Sequence, residues 1–162
     1  MGIMDKNMTI LDKKDKKILQ LLDTDSRMSL TTIARKTGIP IDTVRYRIEK
    51  MEKEKVFKYA IVIDNHKLGY TIFNEIHLQF VNFTVAEEES VKKYLKSTPN
   101  IVYGAKVAGK YDYVIAIMAK DMKEFDDVFH AFKTRFERII KDYDIALIIE
   151  EYKLDYLIDL IS

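Results

Sequence analysis

One stretch of the sequence, residues 41–54, concentrates side chains that can contact a polyanion. Its apolar residues recur at steps of three and four, which predicts a helix with one buried face. If Val44 lies at the centre of that face, the outward and flanking side chains can neutralise phosphates or hydrogen-bond to base edges. These candidate DNA contacts are Thr43, Arg45, Tyr46, Arg47 and Lys50. Arg35, near the end of the preceding helix, would approach the phosphate backbone beside them.

The end of this helix also has a simpler interpretation. Acidic and basic side chains are interleaved from Glu49 to Lys55, so a solvated surface held by salt bridges would explain them. Asp42, at the start of the helix, suits the helix dipole better than it suits a base contact. For Arg45, Tyr46 and Arg47 taken together, contact with DNA is the favoured interpretation.

Two further helices are predicted in front of this one. The first covers Leu11–Thr24, with Asp12 as its N-cap, and the second begins after Ser29 and ends at Gly38. Pro40 then suits the first position of the third helix. Two helices joined by a tight, glycine-containing turn match the helix-turn-helix motif, whose second helix enters the major groove of DNA.

The chain is expected to divide into two domains. Val56–Ile63 is β-like and would form a wing or a connecting strand. Polar residues and a glycine then predict a hinge. We therefore expect a winged helix-turn-helix domain over 1–60, a hinge over 61–70 and a second domain over 71–162.

The second domain alternates strands with helices in the order βαββαβ, which predicts a ferredoxin-like α+β fold. Its first half consists of a strand at Thr71–Phe83, a helix at Glu87–Ser97 and a strand at Ile101–Ala108. A two-residue turn, Gly109-Lys110, is expected to join this strand to the next. The remaining elements are a strand at Tyr111–Ala119, a helix at Met122–Lys141 and a strand at Ile145–Ile149.

A four-stranded sheet with both helices on one face leaves its other face open. The residues expected there are Phe73, Val81, Tyr113, Ile115 and Ile117, or their alternates along each strand. The third and fourth strands have apolar residues on both faces, which a solvated sheet does not need. An exposed apolar face usually marks a partner. A homodimer formed by sheet-on-sheet packing is the simplest solution.

Charge is unevenly distributed along the 162 residues, although the net charge is only +1. Residues 1–60 hold 14 Lys and Arg against 9 Asp and Glu, a net +5. Residues 61–162 hold 13 against 17, a net −4. A polyanionic partner is therefore expected to bind the first third of the chain.

The sequence argues against several other classes of protein. There is no Cys, and His66, His77 and His130 lack the spacing of metal ligands. No phosphate-binding glycine-rich loop or nucleophile elbow is present. No apolar run reaches the roughly 18–20 residues of a membrane span, and Met1–Asn7 lacks the apolar stretch of a signal peptide. We expect a cytoplasmic protein that is not an enzyme and has no metal site or cofactor.

Several segments resemble the Lrp/AsnC, or feast/famine, family of transcriptional regulators. Leu11–Leu19 looks like the opening signature of that family, and Asp25–Ser29 and Ile33–Ile39 continue it. Thr43–Glu52 resembles the family's recognition helix, and Ile63–Gly69 resembles its hinge. The resemblance covers the whole chain. It implies that the βαββαβ half is a regulatory (RAM-type) domain and that the protein forms a homodimer, assembling further to a tetramer or octamer.

The sequence departs from the family pattern at three places. Pro40 stands where the family often has Ser, Tyr46-Arg47 stands where a basic pair is usual, and Lys55 replaces the Gly usual before the wing. Tyr46 cannot make the bidentate guanine contact of an arginine. The operator sequence is therefore expected to differ from that of relatives with the basic pair.

The segment Val107–Tyr113 resembles the family's Gly-x-Tyr/Phe-Asp loop. In relatives this region lies between dimers, where a small effector, typically an amino acid, binds. The resemblance makes Gly109, Lys110, Tyr111 and Asp112 the candidate effector residues. Backbone N–H groups in a glycine turn suit a carboxylate, and Asp112 suits an α-ammonium group. An ordinary hairpin turn capped by Asp112 is the alternative.

Two other functions remain open at this stage. An architectural protein that compacts DNA without a defined promoter target would carry the same basic helix. Siroheme decarboxylases also resemble this family along their length, with a His-Tyr-x-Arg-like segment in the second strand region. Here that region reads Ile101–Lys106 and contains no histidine. A regulator of transcription, modulated by a small effector, is the favoured interpretation.

Overall fold

The computed structural model of the chain describes residues 9–152, which form two compact units divided between Val62 and Ile63. The first unit contains three helices, α1 (Lys13–Thr24), α2 (Leu30–Thr37) and α3 (Ile41–Lys53). A short 3₁₀ turn at His66–Leu68 lies at the start of the second unit.

The caps of α1 and α2 are formed as predicted. The Asp12 side chain accepts hydrogen bonds from the N–H groups of Lys14 and Asp15, and the Asp15 side chain accepts one from the Asp12 N–H, which completes a capping box. Ser29 caps α2, which ends at Gly38 with a φ of +70°. Such a left-handed residue lets the chain turn sharply into α3.

The three helices share one apolar core. From α3, Val44, Ile48 and Met51 are buried, and they belong to the same cluster as Ile18 of α1 and Ile33 of α2. The predicted buried face of α3 is therefore confirmed at these three residues, whereas Ile41 at the start of the helix is 38% exposed, and the opposite side of the helix is left in solvent.

Two details predicted for this half of the chain are wrong. Pro40 precedes α3 rather than opening it, because its φ of −54° is combined with an extended ψ of 140°. Residues 56–63, expected to form a wing or connecting strand, contain no strand. Val56 and Phe57 instead pack against the helical core. A strand needs the ladder hydrogen bonds of a neighbour, and these apolar side chains are stabilised by burial instead.

The second unit has the ferredoxin-like order that the sequence predicts. Its strands are β1 (Ile72–Phe80), β2 (Ile101–Lys106), β3 (Tyr113–Ala119) and β4 (Ile140–Leu147). Its helices are α4 (Val85–Ser97) and α5 (Met122–Phe136). The sheet order is β2-β3-β1-β4 and every pairing is antiparallel.

The face of the sheet that the helices cover differs from part of the prediction. Tyr113, Ile115 and Ile117 are buried in the helix-side core with Phe129 and Phe132 of α5, so they do not lie on the open face. Strand register gives the residues of the open face. On β2 and β3 these are Tyr103, Ala105, Val114, Ala116 and Met118, and on β1 and β4 they are Phe73, Glu75, His77, Gln79, Asp142, Asp144 and Ala146.

Two element boundaries in this unit also differ from the prediction. Helix α5 ends at Phe136 rather than Lys141, and β4 begins at Ile140 rather than Ile145. Ile139 keeps the apolar spacing of the helix but lies in a turn, where its N–H donates to the Phe136 carbonyl. Pairing of Phe80 with Ile140 in the sheet replaces further helical hydrogen bonds.

The β2–β3 connection is longer than the predicted two-residue turn. The Val107 N–H donates to the Asp112 carbonyl, so the chain reverses through residues 108–111. The pairing of β2 with β3 shifts in register between Ile101 and Tyr103, and the pairing of β1 with β4 shifts between Gln79 and Phe80.

Within residues 9–152 no helix is long and apolar enough to cross a membrane.

Candidate nucleic-acid interface and ligand loop

The solvent-facing side of α3 carries most of the candidate DNA contacts. Arg45 and Lys50 are exposed, Thr43 is half-buried, and Tyr46 is 64% exposed. Because Thr43, Tyr46 and Lys50 are three and four residues apart, they lie along one face of the helix, with Arg45 at its flank. The Lys50 ammonium lies 4.0 Å from the Glu54 carboxylate, so part of its charge is balanced within the helix.

Arg35 is exposed in the last turn of α2, next to the exposed Lys36. A cation at that end of a helix interacts favourably with the helix dipole. The same position leaves the guanidinium accessible to a phosphate. Arg35 therefore remains a candidate contact with a second, purely local explanation.

Arg47 occupies a different environment from the other candidates. Its Nη1 lies 2.7 Å from Asp12 Oδ2 and 2.7 Å from Asp15 Oδ1, so one guanidinium bridges both carboxylates of the α1 capping box. Its side chain is only 21% exposed, and its Nε is buried without a hydrogen-bond partner among the described residues. Arg47 thus differs from the outward-facing candidates, because its guanidinium is bound to two carboxylates of α1.

The electrostatics of this cluster follow from its hydrogen bonds. The pKa of Asp12 is lowered to about 2, chiefly because the Asp15 N–H donates to its carboxylate, with a further contribution from Arg47. The pKa of Arg47 is raised, first by its hydrogen bond to Asp15 and then by that to Asp12. The Asp12 carboxylate and the Arg47 guanidinium are therefore both charged at neutral pH.

The loop that was expected to bind an effector is anchored to the central strand. Asp112 Oδ2 accepts a hydrogen bond of 2.7 Å from the Phe80 N–H at the end of β1, and the Asp112 N–H donates to the Leu78 carbonyl. Asp112 thus fastens the β2–β3 loop to β1 rather than capping the Gly109-Lys110 turn. Gly109 itself has a φ of +140°, a conformation that side-chain-bearing residues rarely adopt.

The tip of the same loop contacts the open face of the sheet. The Tyr111 ring lies 5.2 Å from the His77 ring, and the Tyr111 hydroxyl donates to Asp144 of β4. Lys110 Nζ lies 2.7 Å from the Tyr111 hydroxyl and 3.7 Å from Asp144 Oδ2. These contacts lower the pKa of Asp144, first through the Tyr111 hydrogen bond and then through the charge of Lys110. His77 Nε2 also lies 2.6 Å from Glu75 Oε1 on the same strand.

The structure therefore groups the predicted site residues into two sets. Thr43, Arg45, Tyr46 and Lys50 share the free side of α3. Gly109, Lys110, Tyr111 and Asp112 form one loop, with Asp112 turned toward β1. Sequence reasoning missed Asp144 because the last strand was placed too late in the chain. Alternation of Asp142 and Asp144 with apolar residues was the signal that could have found it.

Two family models match the chain. The AsnC-type helix-turn-helix domain matches residues 11–52, and the Lrp/AsnC ligand binding domain matches residues 78–158. The chain belongs to the Lrp/AsnC family of transcriptional regulators. A curated relative, the HTH-type transcriptional regulator FL11 of Pyrococcus horikoshii, is 31% identical over 118 residues, which cover 72% of this chain and 76% of that protein.

Solved structures of Lrp/AsnC regulators share the fold. The AsnC family transcriptional regulator from Agrobacterium tumefaciens gives a TM-score of 0.82 at 22% identity, covering 89% of this chain and 94% of that one. The transcriptional regulator NMB0573 from Neisseria meningitidis, in a complex with L-Met, gives 0.81 at 19% identity, covering 93% and 99%. These likenesses confirm a helix-turn-helix unit followed by an α+β unit. Among the described residues, no group of three or more His, Asp or Glu could hold a metal ion.

The lowered pKa of Asp12 predicts how the α1 cluster responds to acid. A carboxyl group with a depressed pKa stabilises the fold above its unfolded value, here 3.8, and that contribution is lost as the pH falls toward about 2. The substitution Asp12→Asn keeps a capping oxygen but removes the charge. We expect the difference in melting temperature between wild type and Asp12→Asn to stay constant around neutral pH and to vanish on acidification. A difference that persisted unchanged at pH 2 would contradict this assignment.

The hydrogen bond of Asp112 predicts a structural effect of its removal. Asp112→Ala leaves the Phe80 N–H without its acceptor, so the free energy of unfolding should fall by about 1–3 kcal/mol in urea denaturation. Asp112→Asn keeps an acceptor oxygen and is the matched control, expected to lose much less. Equal stability of the alanine and asparagine variants would show that the bond to Phe80 does not anchor the loop.

Proposed function

We propose that the chain is a sequence-specific DNA-binding regulator of transcription that uses α3 as its recognition helix. The observation that carries this proposal is the free face of α3, where Thr43, Arg45, Tyr46 and Lys50 project into solvent from a helix held by α1 and α2. Cationic and hydrogen-bonding side chains on such a helix suit phosphates and base edges in the major groove. Arg35 would add a phosphate contact from α2. A regulator must reach chromosomal DNA, so we place it in the cytoplasm.

The open face of the sheet supports a homodimer. Its β2–β3 half is apolar, with Tyr103, Val114 and Met118, whereas its β1–β4 half carries acidic groups such as Asp142 and Asp144. Packing the apolar halves of two copies removes this surface from water and leaves the acidic halves at the rim. A dimer would present two recognition helices, so the operator should be a short pseudo-palindrome with half-sites about one helical turn apart. Further assembly to a tetramer or octamer is part of the same proposal.

We assign the effector site to the tip of the β2–β3 loop. The NMB0573 structure is a complex with L-Met, which makes an amino acid the first ligand to test. Lys110 and Asp144 form an exposed pair of opposite charges 3.7 Å apart, which suits the carboxylate and ammonium of a zwitterion. Asp112 is the less suitable acid, because its carboxylate holds the loop to the backbone of β1 through the Phe80 N–H, whereas the side chain of Asp144 is 66% exposed. Gly109 and Tyr111 shape the remainder of the site.

DNA binding is tested by fluorescence-anisotropy titration of a duplex from the protein's own promoter region and of a scrambled duplex of the same composition. We expect tighter binding to the promoter duplex and a linear fall of log affinity with log salt concentration. Equal affinity for both duplexes would favour an architectural protein. No binding at low salt would contradict the proposal.

The contribution of α3 is tested with Arg45→Met. Loss of one phosphate contact should weaken binding to both duplexes and reduce the magnitude of the salt slope by about 0.9. The control is Lys96→Met, which removes the same charge from an exposed position on α4 in the other unit and should leave both quantities unchanged. A wild-type slope for Arg45→Met would remove Arg45 from the interface.

Effector binding is tested by calorimetric titration of L-methionine, followed by other amino acids, into wild-type protein and Asp144→Asn. Loss of the carboxylate should weaken binding by about tenfold, since one charge-assisted hydrogen bond disappears. Asp142→Asn, on the same strand and face, is the matched control and should bind as wild type does. Equal affinity of Asp144→Asn and wild type would exclude Asp144 from the site.

A further inference from the structure

With the contact to Arg47 included, every carboxylate oxygen of Asp12 and Asp15 in the α1 capping box accepts a hydrogen bond. Asp12 Oδ1 accepts from the backbone N–H groups of Lys14 and Asp15, and Asp15 Oδ2 accepts from the Asp12 N–H. The two remaining oxygens, Asp12 Oδ2 and Asp15 Oδ1, both accept from Arg47 Nη1 at 2.7 Å. The same carboxylates that begin α1 therefore also hold α3.

Two of the three side chains in this cluster are largely shielded from solvent. The side chains of Arg47 and Asp15 are 21% and 15% exposed, whereas that of Asp12 is 53% exposed. An arginine that serves a phosphate presents its fork of donors outward. In Arg47, by contrast, Nε is buried and Nη1 is bound to both carboxylates of α1.

The position of Arg47 on α3 allows this contact to fix the rotation of the helix about its axis. Arg47 follows directly after Tyr46 and lies two residues beyond Arg45, so at about 100° per residue its anchorage fixes the directions in which both point. The apolar core under α3 constrains this rotation less, because apolar burial is non-directional. Two short hydrogen bonds to fixed carboxylates are directional and weaken steeply when the helix turns.

We propose that Arg47 is a positioning residue that sets the orientation of the recognition helix through Asp12 and Asp15 and does not itself contact DNA. This inference rests on the proposed DNA-binding function. It assigns to α1, which is not the DNA-reading helix of the motif, control over how the reading helix is presented. It also gives Arg47 and Arg45 different roles, positioning of the helix and contact with DNA, although both are arginines on the same helix.

The test compares Arg47→Met with Arg45→Met, two identical substitutions on one helix. Anisotropy titrations use the promoter duplex at several salt concentrations, at a temperature where thermal melts show each variant to be fully folded. We expect Arg47→Met to lower the melting temperature and to weaken binding about tenfold while keeping the wild-type salt slope. Arg45→Met should show the reverse pattern, with an unchanged melting temperature and a reduced slope.

A second variant, Asp15→Asn, keeps the proposal testable if Arg47→Met does not fold. It is isosteric and removes a negative charge, so electrostatics alone would strengthen DNA binding. Loss of positioning predicts the opposite sign, a weakening of about threefold with an unchanged salt slope. In the Arg47→Met/Asp15→Asn double variant, the loss of binding free energy should be smaller than the sum of the losses in the two single variants, because both substitutions remove the same interaction.

Each outcome separates this inference from the proposed function. If Arg47→Met reduces the salt slope as Arg45→Met does, Arg47 contacts DNA. If Asp15→Asn binds more tightly than wild type, the loss of its charge outweighs any loss of positioning. Either result overturns the inference while the function stands. If Arg47→Met is destabilised but binds as wild type, the contact is merely structural and the inference again fails alone. Absence of wild-type binding to either duplex at low salt overturns both.

Discussion

A single guanidinium joins the first and third helices of the N-terminal unit. The apolar side chains beneath them, such as Ile18 and Val44, are buried together, and burial itself has no preferred direction. The bonds of Arg47 to Asp12 and Asp15 tolerate little rotation of the helix. The core decides which face of α3 is buried, and the contact with α1 narrows the rotation of the helix about its axis.

In the C-terminal unit, contacts of two side chains fix the position of the β2–β3 loop. Asp112 ties the β2–β3 loop to β1, and Tyr111 reaches over His77 to Asp144 on β4. The loop tip thus touches the central strand and one outer strand of the same sheet face. A ligand that separates Lys110 from Asp144 acts at the rim of the face through which we propose that two copies associate, so ligand binding and assembly would use the same face of the sheet.

Local signals were sufficient for much of this fold. The caps at Asp12, Ser29 and Gly38 involve neighbours only two to four residues away, so the sequence alone defines the helices they bound. The errors arise where distant residues decide. Ile139 fits the spacing of α5, but pairing with β1 starts a strand at Ile140. The candidate site divides in the same way, since the exposure of Tyr46 follows from periodicity, whereas the anchorage of Arg47 depends on a helix more than thirty residues earlier.

The irregular outer strand of the sheet has a consequence for how the protein behaves at high concentration. Strand β2 lies at the edge of the sheet, and its register shifts between Ile101 and Tyr103. A flat edge strand with free N–H and C=O groups is a template on which further chains add, which leads to fibres and aggregates. A bulge interrupts the regular row of these groups and twists the edge away from a newcomer. The same sheet can thus offer its face to a partner while resisting uncontrolled growth along its edge.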